Sequence, residues 1–348
     1  AGDGTLRIAA GCNYTGGTTV NAGTLVVPQG GGAAGAIRGA LSITNATVIC
    51  SLNWGLGYGS GTCVSDITIT SGTLNFTNSI NGGGTSATNI TMTAGLINGD
   101  SFSLYNGISS TPKITSLASA SSSVISNGFN LRLNTNNVTL TVAAGTVPDG
   151  TDLLVSGPIT SYFNGSSKDG ITKAGDGKLL LTANNAYQGT TLILGGTLQV
   201  GSGGTAGTLG AGAVTNNAAL VYNRSDSCTV SNSISGTGTL TQSGSGTLVL
   251  SGTNTYAGAT VVSNGILRLT HAQCLSTNTA VSISSGAKID LAFTGVNTVR
   301  SLTVDGVLQV RNKVYGTYNL PEALSGNNDG FLRTIEGAPP KGTLILIY

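Results

Sequence analysis

Few residues in this chain are equipped for chemistry. Asp149 and Asp152 stand close together in Asp149-Gly-Thr-Asp152, with Asp169 and Lys173 further on. Clustered carboxylates beside a basic residue could cleave a polysaccharide by acid–base or nucleophilic chemistry. Pro148-Asp149-Gly150 is also a turn sequence in its own right, and the turn is the preferred reading. Gly-Asp-Gly at 2–4 and 175–177 would suit calcium only if aspartates recurred at short, regular intervals, and they do not. The single His271 and the cysteines Cys12, Cys50, Cys63, Cys228 and Cys274 show no metal-ligand spacing. No Gly-Lys-Ser/Thr follows the glycine pairs, so no phosphate loop is present. No catalytic residue, cofactor or metal is therefore expected, and the protein reads as non-enzymatic. In a secreted chain the default for the cysteines is disulfides. Cys50 and Cys63 would close the loop SLNWGLGYGSGT, and Cys228 and Cys274 lie two repeats apart. Cys12 is left as the odd thiol.

The elements that would position such residues follow from composition. The chain has 348 residues, 54 of them Gly, with only 8% charged and 39% hydrophobic. Glycine at this level could mean a linker, but Val, Ile and Leu recur at regular spacing, which argues for packed β-structure. Few charges and many Thr and Asn suit flat stacked strands, where like charges would sit about 4.8 Å apart on successive layers. The net charge is +2 with no basic cluster, so nucleic acid is not an expected partner. No apolar run approaches the roughly 20 residues of a membrane helix. The opening Ala1-Gly2, without Met, fits a secreted chain whose signal peptide has been removed.

The longest regularity is GSGTLVLSGTNTYAGATVVSNGILRL at Gly244–Leu269. It recurs as GDGKLLLTANNAYQGTTLILGGTLQV at Gly175–Val200 and GDGTLRIAAGCNYTGGTTVNAGTLVV at Gly2–Val27. Tyr14, Tyr187 and Tyr256 hold the same place in each copy. A corner at each tyrosine, its hydroxyl meeting a neighbouring backbone group, is expected. Asn185 and Asn254, replaced by Cys12 in the first copy, read as a turn or an asparagine ladder.

A shorter signature runs through most of the chain: apolar, two residues, Gly, one residue, apolar. It stands at Val20-Gly23-Leu25, Ile69-Gly72-Leu74, Met92-Gly95-Ile97, Val142-Gly145-Val147, Ile193-Gly196-Leu198 and Val262-Gly265-Leu267. The steps are 21 to 26 residues or twice that, a period that specifies a parallel β-solenoid. Alternation then sends Leu248, Leu250, Leu267 and Leu269 inward, with Thr and Ser facing water. The expected fold is all-β: a single right-handed parallel β-helix of about 13 coils, roughly 60 Å long. Its boundaries are a β-solenoid over 1–311 with an inserted loop at 51–62, then a C-terminal cap or arm over 312–348 ending in a β-strand at 342–348. The loop carries Trp54 and Tyr58, aromatics that could contact sugar or a neighbour. In the last segment, PEALSG is long enough for one helical turn.

The pattern GxGxLxLxGxNxYxGxTxVxxGxLxL resembles the autotransporter-associated β-strand repeat, with Gly236-Thr-Gly-Thr-Leu240 and Val314-Tyr-Gly-Thr-Tyr318 also typical. The resemblance implies a secreted or surface-exposed parallel β-helix of the kind found in large bacterial adhesins and autotransporter passengers. It implies no catalytic residues. The chain offers no set of long amphipathic strands such as a membrane barrel requires.

Three functions fit. The first is a structural subunit that polymerises head to tail into an extracellular filament. It would pair through Thr5, Leu6 and Ile8 and through the terminal strand residues Leu344, Ile345, Leu346, Ile347 and Tyr348 by β-strand addition. The second is a surface adhesin meeting carbohydrate or a host surface through Trp54 and Tyr58. The third is a polysaccharide lyase or hydrolase. The filament, with the chain as its own partner, is the favoured expectation.

Overall fold

The computed structural model describes residues 2–8, 14–28, 35–51, 56–57, 63–77, 84–85, 87, 89–105, 111–161, 168–316, 320–326 and 330–336. Within them the fold is all-β, without α-helix, and forms a parallel β-solenoid. The expected coil count is approximately right. The chain divides into two units, residues 1–198 with 207–212, and residues 199–206 with 213–348.

In the first unit one face stacks Thr5–Arg7, Thr24–Val27, Thr47–Ser51, Thr73–Thr77, Leu96–Gly99, Ser123–Ile125, Thr151–Val155 and Lys178–Leu181 in that order. A second face stacks Thr18–Val20, Gly39–Thr44, Val64–Thr70, Asn89–Thr93, Lys113–Ser116, Asn137–Val142, Gly170–Ala174 and Thr191–Ile193. A shorter third face holds Gly84–Thr85, Phe102–Tyr105, Phe129–Arg132 and Ile159–Ser161. Every described pairing among these strands is parallel, so each strand lies over its counterpart in the previous coil.

Alternation builds the core. Leu25, Val48, Leu74 and Ile97 follow one another in register, as do Ile43, Ile69 and Met92, and all point inward with 5% exposure or less. Burying each such side chain contributes about 1.5–3 kcal/mol. Phe76, Phe102 and Phe129 form a second column, with ring centroids 5.3 and 5.6 Å apart. Such contacts add about 0.5–1.5 kcal/mol each to plain burial.

The second unit repeats the scheme. Ser227–Val230, Thr247–Leu250, Ile266–Leu269, Lys288–Leu291 and Leu324–Gly326 form one parallel face. Leu248 pairs with Leu267 and Leu250 with Leu269, all four buried as expected. Ala219–Tyr222, Thr239–Gln242, Thr260–Val262, Ala280–Ile283 and Ser301–Val304 form another face, which ends in the antiparallel strand Val307–Leu308. The non-repeating segment contributes strands as well. Only the start of PEALSG turns: the Leu324 amide donates to the Leu320 carbonyl at 2.8 Å, and Leu324–Gly326 then extends as a strand. Gly330–Thr334 lies parallel to Gly295–Val299.

The long motif proves to be one complete turn. Its first and last strands are stacked neighbours, Thr5 on Thr24 in the first copy and Thr247 on Ile266 in the third. Its glycine corner is a left-handed position with no room for a side chain. Gly265 has φ +60°, and a Cβ there would lie 2.4 Å from the Gly246 carbonyl oxygen. Three other corners turn differently. Asn45, Ser71 and Ala94 take the positive φ, one residue earlier (48 to 50°). Gly72 and Gly95 are then needed for space, since a Cβ would meet Ile43 and Ile69 of the preceding coil within 2.8 Å.

Candidate functional site

Among the described residues, the motif's polar side chains form a buried constellation in which the asparagines reach the neighbouring coils. Asn254 is buried. Its Oδ1 accepts the Ile234 amide at 2.8 Å, and its Nδ2 donates to the Cys274 carbonyl at 2.7 Å. One side chain thus clamps the coil before and the coil after. Asn185 does the same, accepting from the Ile159 amide at 2.8 Å and donating to the Thr208 carbonyl at 2.7 Å. These are bonds from side chain to backbone rather than an asparagine-to-asparagine ladder. Asn297, outside the long motif, binds the preceding coil alone, accepting from and donating to Leu275 at 3.0 and 2.9 Å. Its only sequence signal is a lone asparagine one coil beyond the third copy.

Tyr187 and Tyr256 are fully buried. Their hydroxyls pair with Thr191 at 2.6 Å and Thr260 at 2.5 Å, and Thr260 continues to Thr279 at 2.9 Å. The partner is mainly a threonine four residues on; the Gly210 backbone also meets Tyr187. Burial pushes the Tyr187 hydroxyl up to about 12 and raises Tyr256 further, against the opposing pull of those threonines. Neither tyrosine is available to a ligand. Tyr14 makes the same bond, to Thr18 at 2.7 Å, but is exposed.

The acidic cluster is likewise absorbed by the fold. Asp152 accepts the amides of Gly145 at 2.7 Å and Lys178 at 2.8 Å. Asp169 is buried and accepts those of Leu133 at 2.9 Å and Thr135 at 2.7 Å. Asp149 accepts the Thr151 amide at 2.9 Å, which closes the turn read from the sequence and lowers its pKa below the usual carboxylate value. Lys173 is fully buried, with its ammonium on the carbonyls of Ala174, Gly175 and Gly195 at 2.9, 2.7 and 3.0 Å. Burial pushes it down to about 8, opposed by Asp176 and Asp152. These groups spend their hydrogen-bonding capacity on backbone, an arrangement suited to holding corners rather than to a substrate.

The expected disulfides do not form. Cys50, Cys63, Cys228 and Cys274 are buried free thiols. Cys50 lies on the first face between Val27 and Phe76, whereas Cys63 leads into the second face, its carbonyl accepting from Gly39. Cys228 and Cys274 belong to coils separated by that of Leu248. Two layers are about 9.6 Å, beyond the roughly 7 Å that a disulfide spans between Cα atoms. Cys274 instead donates from Sγ to the Leu250 carbonyl at 3.0 Å. Burial drives the Cys50 thiol up to about 12 and raises those of Cys63 and Cys228.

Of the residues read as assembly contacts, Thr5 and Leu6 lie exposed on the strand Thr5–Arg7, Leu6 at 63%, and Ile8 follows half-buried. Leu344, Ile345, Leu346, Ile347 and Tyr348 lie outside the described residues, as do Trp54, Tyr58 and Cys12. Two ion pairs carried no sequence signal, Arg224–Asp226 at 2.7 Å and the coil-to-coil Arg268–Asp290 at 2.5 Å. No helix among the described residues is long and apolar enough to cross a membrane.

Residues 1–27, 171–200 and 240–269 match the family model of the passenger-associated-transport-repeat. Over 103 residues, 30% of this chain, the sequence is 45% identical to the adhesin BmaC autotransporter of Brucella suis biovar 1 (strain 1330). That stretch covers 3% of the relative's own length. No solved structure matches. The chain thus carries repeats of the autotransporter-passenger kind, and each matched stretch ends on the strand that completes a turn of the solenoid.

Proposed function

We propose that this chain is a stretch of β-solenoid from a bacterial cell-surface passenger, acting by adhesion rather than catalysis. The observation that supports this most is the 45% identity to an autotransporter adhesin, together with three passenger-associated repeats. The site chemistry agrees. The carboxylates, lysine and buried tyrosines best placed for reactivity are engaged with backbone and threonine. In this reading the stacked coils hold a contact surface away from the cell, and a carbohydrate or host surface is the partner. Head-to-tail polymerisation draws no comparable support, and the terminal strand it relies on lies outside the described residues.

The test places the chain between a cleavable signal peptide and an outer-membrane barrel in a non-adherent bacterium. Protease-sensitive surface display and adherence above that of the barrel alone are expected. Adherence equal to the barrel's, or turnover of a polysaccharide by the purified chain, would overturn the reading. Filaments of the purified chain in electron micrographs would restore the polymer.

A further inference from the structure

The second face of the first unit carries a two-column field of hydroxyls. Ser42, Thr68, Thr91, Thr115 and Thr141 follow one another in register on five successive coils. Two residues along each strand, Thr44, Thr70 and Thr93 make a second column beside the first three of these. All eight point outward, alternating with the buried Leu41, Ile43, Ile67, Ile69, Ile90 and Met92.

The parallel ladder fixes the spacings. Hydroxyls repeat at about 4.8 Å from coil to coil and about 6.7 Å along the strand. Threonine is stiff at χ1, so the field is a lattice rather than a set of independent rotors. Hydroxyls just past the strand ends fold back onto the preceding coil, as Ser243 does onto Tyr222, Ser263 onto Gln242 and Thr270 onto Leu250, at 3.1 to 3.2 Å. None of the eight side-chain hydroxyls in the field is hydrogen-bonded to another described residue.

We propose that this face binds ice. The occupant must be uncharged, because the eight positions hold no charge and the adjoining column balances Asp66 against Lys113. It must also be periodic in two dimensions, because the donors and acceptors are. A sugar polymer meets the first condition but is usually gripped through aromatic rings stacked on its pyranose faces. No outward position of these five strands is aromatic. Ice meets both conditions: its surface planes present oxygens that donate and accept at spacings close to those of this field. The γ-methyls beside the hydroxyls order the water between them, so bound water can join the crystal without leaving the face.

The experiment uses the purified full chain, measuring thermal hysteresis and ice recrystallisation, with thermal unfolding as the folding control. The chain is expected to shape ice crystals and to depress freezing below melting. Thr68→Lys with Thr91→Lys should abolish both effects at unchanged unfolding temperature. Thr229→Lys, at an exposed outward position of a different strand, should leave them intact. A wild-type chain without effect on ice, equal loss in the Thr229 variant, or adsorption to crystalline cellulose or chitin abolished by the Thr68/Thr91 pair would each overturn the proposal. Adhesion by a displayed chain that ignores ice would leave the adhesin reading standing and remove this one.

Discussion

Replacing Asn254 by alanine tests how the coils are held. Asn254 is 4% exposed, and its carboxamide satisfies an amide of the preceding coil at 2.8 Å and a carbonyl of the following one at 2.7 Å. Truncation leaves both backbone groups buried and unpaired, at about 1–3 kcal/mol each. A loss of about 2–6 kcal/mol is therefore expected. That is a large share of the marginal stability of an ordinary domain. In a solenoid each turn touches only its neighbours, so the damage should be local. The assay is urea unfolding followed by circular dichroism and by pulse proteolysis, with Thr253→Ala as control. Thr253 is adjacent but exposed, and its change should fall within about 0.5 kcal/mol. The Asn254→Ala chain should unfold at clearly lower urea, with a first cleavage among the coils around residues 234–274. Equal midpoints for the two variants would refute the reasoning.

Three further outcomes follow from the same structure. Gly265→Ala should destabilise by about 2–4 kcal/mol, combining the left-handed conformation with overlap on two carbonyls. Gly286→Ala, also at positive φ (+80°) but with open space around it, should lose only about 1 kcal/mol; equal losses would contradict the packing assigned to the Gly265 corner. Lys173 has a folded-state value of about 8 against about 10.4 in an unfolded chain. Between those values the unfolded state binds more protons, so stability should rise with pH through that window and its deficit be fully present below pH 8, by at most about 3 kcal/mol. Unfolding midpoints against pH should show that rise in the wild type and lack it in Lys173→Met; parallel curves would sink the assignment. Alkylation in denaturant without reductant should label Cys50, Cys63, Cys228 and Cys274, and protection of any pair of them would mean a disulfide.

The period and the inward alternation were legible in the sequence because they are direct images of geometry. A coil of fixed circumference brings Leu248 under Leu267 whatever else the chain does. The role of Asn254 was not legible, because its partners are backbone groups, which carry no residue signature. The cysteines misled for a related reason. A separation of 46 residues leaves Cys228 and Cys274 two layers apart and in different columns, Cys228 over Leu248 and Cys274 beside Asn254, which is too far for a bond. The corners show the limit of pattern matching. One signature covers two turn geometries, with the left-handed residue at Gly265 in one and at Ser71 in the other. The shift becomes visible only when the approach of Ile43 to Gly72 is known. Asp149 read correctly as a turn residue, since an aspartate before glycine bonds its own backbone two residues on.

Amide hydrogen exchange measures most directly whether the motif's polar residues are committed to the stack. Ile159, Ile234 and Leu275 donate their amides to asparagine side chains of the next coil. All three should be protected as strongly as core strand amides such as those of Leu248 and Leu267, and Asn254→Ala should release Ile234 first. Exchange of these three at the rate of an open loop in the native chain would contradict the account.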